Sequence, residues 1–173
     1  MIVEAVGGGG GAGALSVGRF HVDFSCVVVT VGNAGVGTNG GNGGSGGTSS
    51  FGTLTSASGG AGAPVSTINT NPMFSSLGRG GETTTGGNVY SKLGDAGSAG
   101  IAFNYVTAIS GAGASSKMGT GGRPVGISVA AKFNGVDGSG FGAAGSGGTS
   151  GGGSGSASGG NGSPGLVLVY EYS

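Results

Sequence analysis

Three segments of the chain carry the apolar residues expected of β-strands, and they lie at 2–6, 20–31 and 166–172. In the second segment, Val22, Phe24 and Cys26 alternate with polar residues, as the two-residue period of a half-buried strand requires. Strands at the two ends of a chain commonly pair, because pairing holds termini that would otherwise fray. The pattern therefore predicts one short β-sheet formed by all three segments.

Weaker strand signals lie at 51–57, 101–109 and 127–133. No window keeps the i, i+3, i+4, i+7 apolar spacing of an amphipathic helix over three turns without an interrupting glycine. The chain is therefore expected to be mostly β and irregular, with almost no α-helix.

Glycine-rich tracts separate the strand-like segments, and they lie at 7–13, 32–47, 59–63, 78–87, 111–122 and 135–165. A three-residue phase is visible at Gly37, Gly40, Gly43 and Gly46. Such tracts are either flexible linkers or polyglycine II helices, which have three residues per turn and can pack against one another. A linker needs only one tract, so their recurrence favours a packed bundle or sandwich of polyglycine II helices joined to the short sheet, in a single domain over 1–173.

The charge and apolar content of the chain argue against nucleic acid and membrane as partners. Glycine supplies 49 of 173 residues, and six basic residues balance six acidic ones. Scattered single cations leave no patch for a phosphate backbone, so nucleic acid is not expected as a partner. The longest apolar run falls far short of the roughly 20 residues that span a bilayer, so no membrane insertion is expected. The start lacks the pattern of a secretory signal, so we expect either that the protein is made in a cytoplasm or that this sequence is a fragment.

Catalytic chemistry is not indicated by any constellation of residues. His21 is the only histidine and Cys26 the only cysteine, so the usual zinc sites cannot be assembled within one chain. The pattern of His21, Asp23 and Ser25 places its members about 6.6 Å apart along a strand, too far for the hydrogen bonds of a triad. The six carboxylates are scattered one per segment. We therefore expect a protein that is not an enzyme and has no metal or cofactor.

The segments between tracts hold aromatic rings beside amides and single charges, a composition typical of recognition loops. The alternative is that these rings fill the small core, where aromatic residues also dominate. The candidate receptor-binding residues are Asn71, Phe74, Arg79, Tyr90, Lys92, Phe103, Asn104, Tyr105, Lys132 and Phe133.

Three stretches resemble the glycine-rich receptor-binding domains at the tips of bacteriophage tail fibres, in particular the long-tail-fibre adhesins of T-even-type phages. They are VEAVGGGGGAG at the start, VVVTVGNAGVGTNGGNGGSGGTSSFGTLTSASGGAGA in the first third, and GGNGSPGLVLVYEYS at the end. The resemblance implies a sandwich of polyglycine II helices whose intervening loops contact an outer-membrane protein or a surface polysaccharide.

The sequence and this resemblance together predict a tail-fibre tip adhesin, located in the virion, that binds a bacterial host receptor through loops on a polyglycine scaffold. The resemblance also implies other tail-fibre subunits as partners and a possible homotrimer. The alternative is a structural fibre protein whose glycine faces mediate assembly without touching the receptor.

Overall fold

The computed structural model describes residues 5–21, 26–67 and 73–172 of the chain. Within these residues there is no helix, which confirms the expected class, mostly β and irregular. The strands are β1 (Ala5–Gly7), β2 (Leu15–Val17), β3 (Val29–Thr30), β4 (Ser49–Phe51), β5 (Thr55–Ala57), β6 (Val65–Thr67), β7 (Met73–Phe74), β8 (Thr84–Thr85), β9 (Tyr90–Lys92), β10 (Ile101–Asn104), β11 (Thr107–Ile109), β12 (Met118–Thr120), β13 (Gly126–Ile127), β14 (Lys132–Phe133), β15 (Ser139–Phe141) and β16 (Thr149–Ser150).

The strands form small antiparallel sheets. Two sheets have four strands each, in the orders β14-β16-β1-β6 and β13-β11-β10-β7, and they meet through a cluster of Val6, Ala102, Ala108 and Ile127. A third four-stranded sheet has the order β3-β4-β5-β8, and the pairs β2-β9 and β12-β15 complete the set. None of these strands exceeds four residues, so the sheets alone do not hold the chain together.

Glycine-rich tracts connect the sheets, and their backbone hydrogen bonds recur every three residues. In the tract 7–14, the N–H groups of Gly7, Gly10 and Gly13 donate to carbonyls of the tract 142–148. The N–H groups of Gly11 and Ala14 donate to the tract 58–61 instead. Successive residues of the tract thus donate to different neighbouring tracts, and every third residue donates to the same one. This pattern is expected of extended helices with three residues per turn.

The tract 7–14, here called the central tract, bonds to five other tracts. Its N–H groups reach the tracts 58–63, 94–100 and 142–148, and its carbonyls accept from the tracts 75–81 and 110–114. Because backbone groups on five sides of this tract find partners, most of its glycines meet the hydrogen-bonding requirement that would oppose burial. The identity of the tracts as polyglycine II stays a prediction.

The tracts also fix two ends of the molecule. The end that contains β1 and its two sheets is called the Val6 end, and the end where β2 follows the central tract is called the Leu15 end. At roughly 3.1 Å per residue, the eight residues 7–14 separate these ends by about 25 Å.

The predicted sheet of 2–6, 20–31 and 166–172 is wrong for the residues that the structure describes; 2–4 and 22–25 lie outside them. β1 pairs with β6 and β16, β3 pairs with β4, and the described residues 166–172 contain no strand. The physical reason is the length of the tracts. Gly165 donates its N–H to Gly32 at 2.9 Å, which places the segments that adjoin both residues at the Leu15 end, a whole tract away from β1.

The weaker strand predictions fall on strands but miss their turns. The segment 51–57 contains a turn between β4 and β5, and the segment 101–109 is a hairpin of β10 and β11. The segment 127–133 divides between β13 and β14, which belong to different sheets. Two of the glycine-rich tracts predicted from the sequence are also interrupted by turns. The segment 32–47 forms two antiparallel tracts, and the segment 135–165 forms three.

Close approach between tracts explains why glycine is needed in the interior. A Cβ atom added at Gly9 would lie 1.7 Å from the carbonyl oxygen of Ala112, and one at Gly11 would lie 1.9 Å from that of Arg79. Both are far inside van der Waals contact, so only glycine allows the backbones to come this close.

Candidate functional site

The structure divides eight of the ten predicted site residues between the two ends of the bundle. Those on strands or turns of the Val6 end are Phe74, Phe103, Asn104, Tyr105, Lys132 and Phe133. Tyr90 and Lys92 lie on β9 at the Leu15 end, and Arg79 lies within the tract 75–81. Asn71 lies outside the described residues. The predicted set is therefore not one contiguous surface.

The sheet β13-β11-β10-β7 has a buried face and an exposed face. Met73, Ala102, Ala108 and Ile127 follow one another across the strands and form the core side with Val6. The neighbouring row runs from Phe74 through Ile101 to Ile109. Because side chains alternate between the faces of a strand, this second row points away from the core.

Exposed rings dominate this outer row and the turn beside it. Phe74 is 66% exposed, Phe103 55% and Tyr105 58%. Large apolar side chains that remain in solvent on a sheet face form the kind of patch that marks an interaction surface. The alternative prediction, that these rings fill the core, does not hold for the three residues.

The hairpin of β10 and β11 holds two of these rings in defined positions. The register shifts between Ala102 and Asn104, so Phe103 lies in a bulge, a feature that redirects side chains. The Oδ1 atom of Asn104 accepts the N–H of Val106 at 3.0 Å and closes the turn. The carbonyl of Tyr105 accepts the N–H of Gly152 at 2.8 Å, which ties the turn to the loop after β16.

β14 supplies the remaining Val6-end candidates. Lys132 lies opposite Ser150 and Phe133 lies opposite Thr149 at the edge of the sheet. Phe133 is 53% exposed, and Lys132 is also exposed. β13 and β14 are in contact, so Phe133 lies near the edge where the two sheets adjoin, whereas Phe74 and Phe103 lie on β7 and β10, away from that edge.

The Leu15-end candidates have partners of their own. Tyr90 lies opposite Val17, and the Lys92 ammonium lies 2.7 Å from a carboxylate oxygen of Asp95. Arg79 pairs with Glu82 at 3.6 Å, with most of both side chains in solvent. Exposed pairs of this kind contribute about 0–1 kcal/mol, so they leave the charges available to a partner.

Sequence reasoning missed Ile101 and Ile109 as members of the exposed row. The two residues are cross-strand neighbours of one another, and Ile109 is 42% exposed. Treating 101–109 as a single strand hid this relation, because only a turn at 105–106 brings the two isoleucines side by side. The signal that could have found them is the polar pair of Asn104 and Thr107 that flanks this turn.

Other kinds of site have no support in the part of the chain that the structure describes. No group of three or more His, Cys, Asp or Glu side chains comes close enough there to hold a metal ion. No helix capable of crossing a bilayer occurs in the same residues. No protein-family model, curated protein or solved structure matches the chain.

Proposed function

We propose that the chain is a non-enzymatic receptor-binding module of a bacteriophage tail-fibre tip. The single observation that carries the proposal is the exposure of four rings at the Val6 end, on short sheets that the glycine bundle anchors; they are Phe74, Phe103, Tyr105 and Phe133. The receptor is an outer-membrane protein or a surface polysaccharide of the bacterial host.

The physical argument for binding rests on anchoring and ring chemistry. Rigid aromatic side chains give large contact area at low cost in conformational entropy, and adjacent amides such as Asn104 supply adaptable hydrogen bonds. Lys132 is the only charged candidate at this end, so recognition depends on stacking and shape more than on charge. Several copies on one virion would raise the avidity of a weak single site.

The test compares the two ends of the bundle on the same cells. Labelled protein is titrated onto host bacteria, and a variant with Phe74→Ala, Phe103→Ala and Tyr105→Ala is compared with the unchanged chain. We expect the variant to lose binding about 30-fold or more, because the loss of even one central aromatic anchor costs about 2 kcal/mol or more. The three side chains are exposed, so the fold is expected to survive.

The matched control is Tyr90→Ala with Lys92→Ala at the Leu15 end, which is expected to keep full binding. Equal binding by the unchanged chain and the Val6-end variant would place the receptor surface elsewhere. Failure of the unchanged chain to bind any bacterium would favour the assembly role instead.

A further inference from the structure

A second feature of the bundle is a cavity of about 1190 Å³, here called the glycine-lined cavity, which glycine-rich tracts line along the bundle and residues such as Leu15, Phe20 and Leu166 line at the Leu15 end. Six tracts form a closed ring around it, in the order 7–14, 58–63, 43–47, 32–38, 158–165 and 142–148. Each tract bonds to the next through backbone groups. The bonds run from Gly11 to Ala61, Gly46 to Gly60, Gly47 to Asn33, Gly162 to Gly35, Ser163 to Ala143 and Gly10 to Gly145, at 2.8–3.1 Å.

The arrangement of the ring matches the surroundings of one extended tract. The central tract already bonds to five neighbours, and the cavity lies on its remaining side, between the tracts 58–63 and 142–148. In a hexagonal array of rods, each rod is surrounded by six others, as this cavity is surrounded by six tracts. The cavity therefore has the place and surroundings of one more tract.

Unpaired backbone groups line this cavity in alternation. The N–H groups of Gly35, Gly60 and Gly145 have no hydrogen-bond partner in the described residues. On the three intervening wall tracts, the carbonyls of Gly11, Gly44 and Gly160 accept no hydrogen bond from the same part of the chain. Donor and acceptor walls thus follow one another around the ring, which is the complement of a backbone whose own N–H and C=O groups alternate outward.

At six of the glycines that line the cavity, an added Cβ would meet this chain only at ordinary or slightly tight contact distance. A Cβ atom added to them would have its nearest neighbour at 3.3–3.7 Å, and they are Gly10, Gly13, Gly43, Gly46, Gly159 and Gly162. The contrast with Gly9 in the same tract, at 1.7 Å, is large. Glycine lowers stability by its entropy wherever nothing requires it, so six such glycines around one cavity indicate that a backbone approaches them there.

Solvent reaches these positions through the cavity. Gly10 and Gly13 are half-buried, whereas Gly8, Gly9 and Gly11 in the same tract are buried. Since five tracts cover the other sides of the central tract, the exposure of Gly10 and Gly13 comes from the cavity side.

We infer that the glycine-lined cavity binds an extended, glycine-rich segment of a second polypeptide chain, which completes the array by backbone hydrogen bonds. A segment with side chains at every position would not fit, because the walls approach at backbone distance. The inference does not depend on receptor binding at the Val6 end, because it concerns assembly of the fibre tip with another chain.

The test uses a fluorescent peptide with the sequence NGGNGGSGG, which is that of residues 39–47, and a control peptide NAGNAGSAG. We expect the first peptide to bind and the second to bind about tenfold more weakly or worse, because added methyl groups overpack the cavity. On binding, the amide hydrogens of Gly35, Gly60 and Gly145 should become protected from exchange, as measured by NMR on the unchanged chain.

A triple variant of Gly10→Ala, Gly46→Ala and Gly162→Ala places three methyl groups in the cavity and is expected to fold but to lose the peptide. Gly126→Ala is the matched control, because its added Cβ would have its nearest neighbour at 3.3 Å and lies outside the cavity lining. Equal binding of both peptides, no binding at millimolar concentration, or binding without protection of the three amides would each overturn the inference. The last measurement needs no variant, so it decides the matter even if the triple variant unfolds.

Discussion

At the scale of single residues, Thr149 carries an unusual polar atom. Its side chain is fully buried on β16, between Val6 of β1 and Phe133 of β14, and its Oγ1 has no hydrogen-bond partner among the described residues. An unsatisfied buried hydroxyl costs about 1–3 kcal/mol, whereas a methyl group of the same size costs nothing of that kind.

We therefore expect Thr149→Val to raise the free energy of unfolding by about 1 kcal/mol, measured by chemical denaturation. Ser150→Ala is a useful comparison. Ser150 is also buried on β16, but its hydroxyl, unlike that of Thr149, is not a fully buried oxygen without a hydrogen-bond partner. A loss of stability on Thr149→Val would mean that the hydroxyl is hydrogen-bonded in solution.

At the scale of elements, the packing of a glycine-rich tract depends on the absence of side chains from its glycines. Gly9 and Gly13 belong to the same central tract and make backbone hydrogen bonds of 2.9 Å each. Their surroundings differ, because an added Cβ would lie 1.7 Å from its nearest atom at Gly9 and 3.6 Å at Gly13. Substitutions at these two positions therefore test the steric need for glycine, while the tract and the hydrogen-bond length stay the same.

Gly9→Ala is expected to lower the free energy of unfolding by about 3 kcal/mol or more, because the backbone of the tract 110–114 must move. Gly13→Ala should stay within about 1 kcal/mol of the unchanged chain. Thermal unfolding followed by circular dichroism compares the two. Equal losses at both positions would show that the tracts do not pack as closely as the structure has them.

The elements also show how far the sequence could be read. Composition singled out the rings of Phe74, Phe103 and Tyr105, but it did not tell whether they are exposed, because aromatic side chains occur both in cores and in recognition loops. Turns could not be read, because a glycine in a turn looks like a glycine in a tract. Gly40, with a φ of +62°, lies between two tracts that the sequence presents as one.

The pairing of strands failed for a related reason. Alternation tells which residues share a face of a strand, but the length of each tract decides which strands share an end. The segment 166–172 alternates as a strand should, yet it follows a tract that ends beside Gly32 at the Leu15 end. The glycine-lined cavity was equally hidden, because it depends on the order of six tracts around a ring.

At the scale of the whole molecule, the balance of stabilising forces differs from that of an ordinary globular protein. Among the described residues, Val6 and Ile127 are the only buried hydrophobic side chains larger than alanine. Backbone hydrogen bonds between tracts, by contrast, join segments more than a hundred residues apart, as between Gly7 and Gly148. Unfolding must therefore expose much peptide backbone and little apolar surface.

This difference predicts an unusually small heat-capacity change on unfolding. Apolar exposure raises the heat capacity and polar exposure lowers it, with an ordinary net of about 12 cal/mol/K per residue. For 173 residues that rule gives about 2.1 kcal/mol/K, and we expect calorimetry to find a clearly lower value. The temperature dependence of the unfolding enthalpy across a series of mildly destabilised variants measures the same quantity and serves as the control. A value at or above the ordinary one would mean that apolar burial, and not backbone pairing between tracts, holds the bundle together.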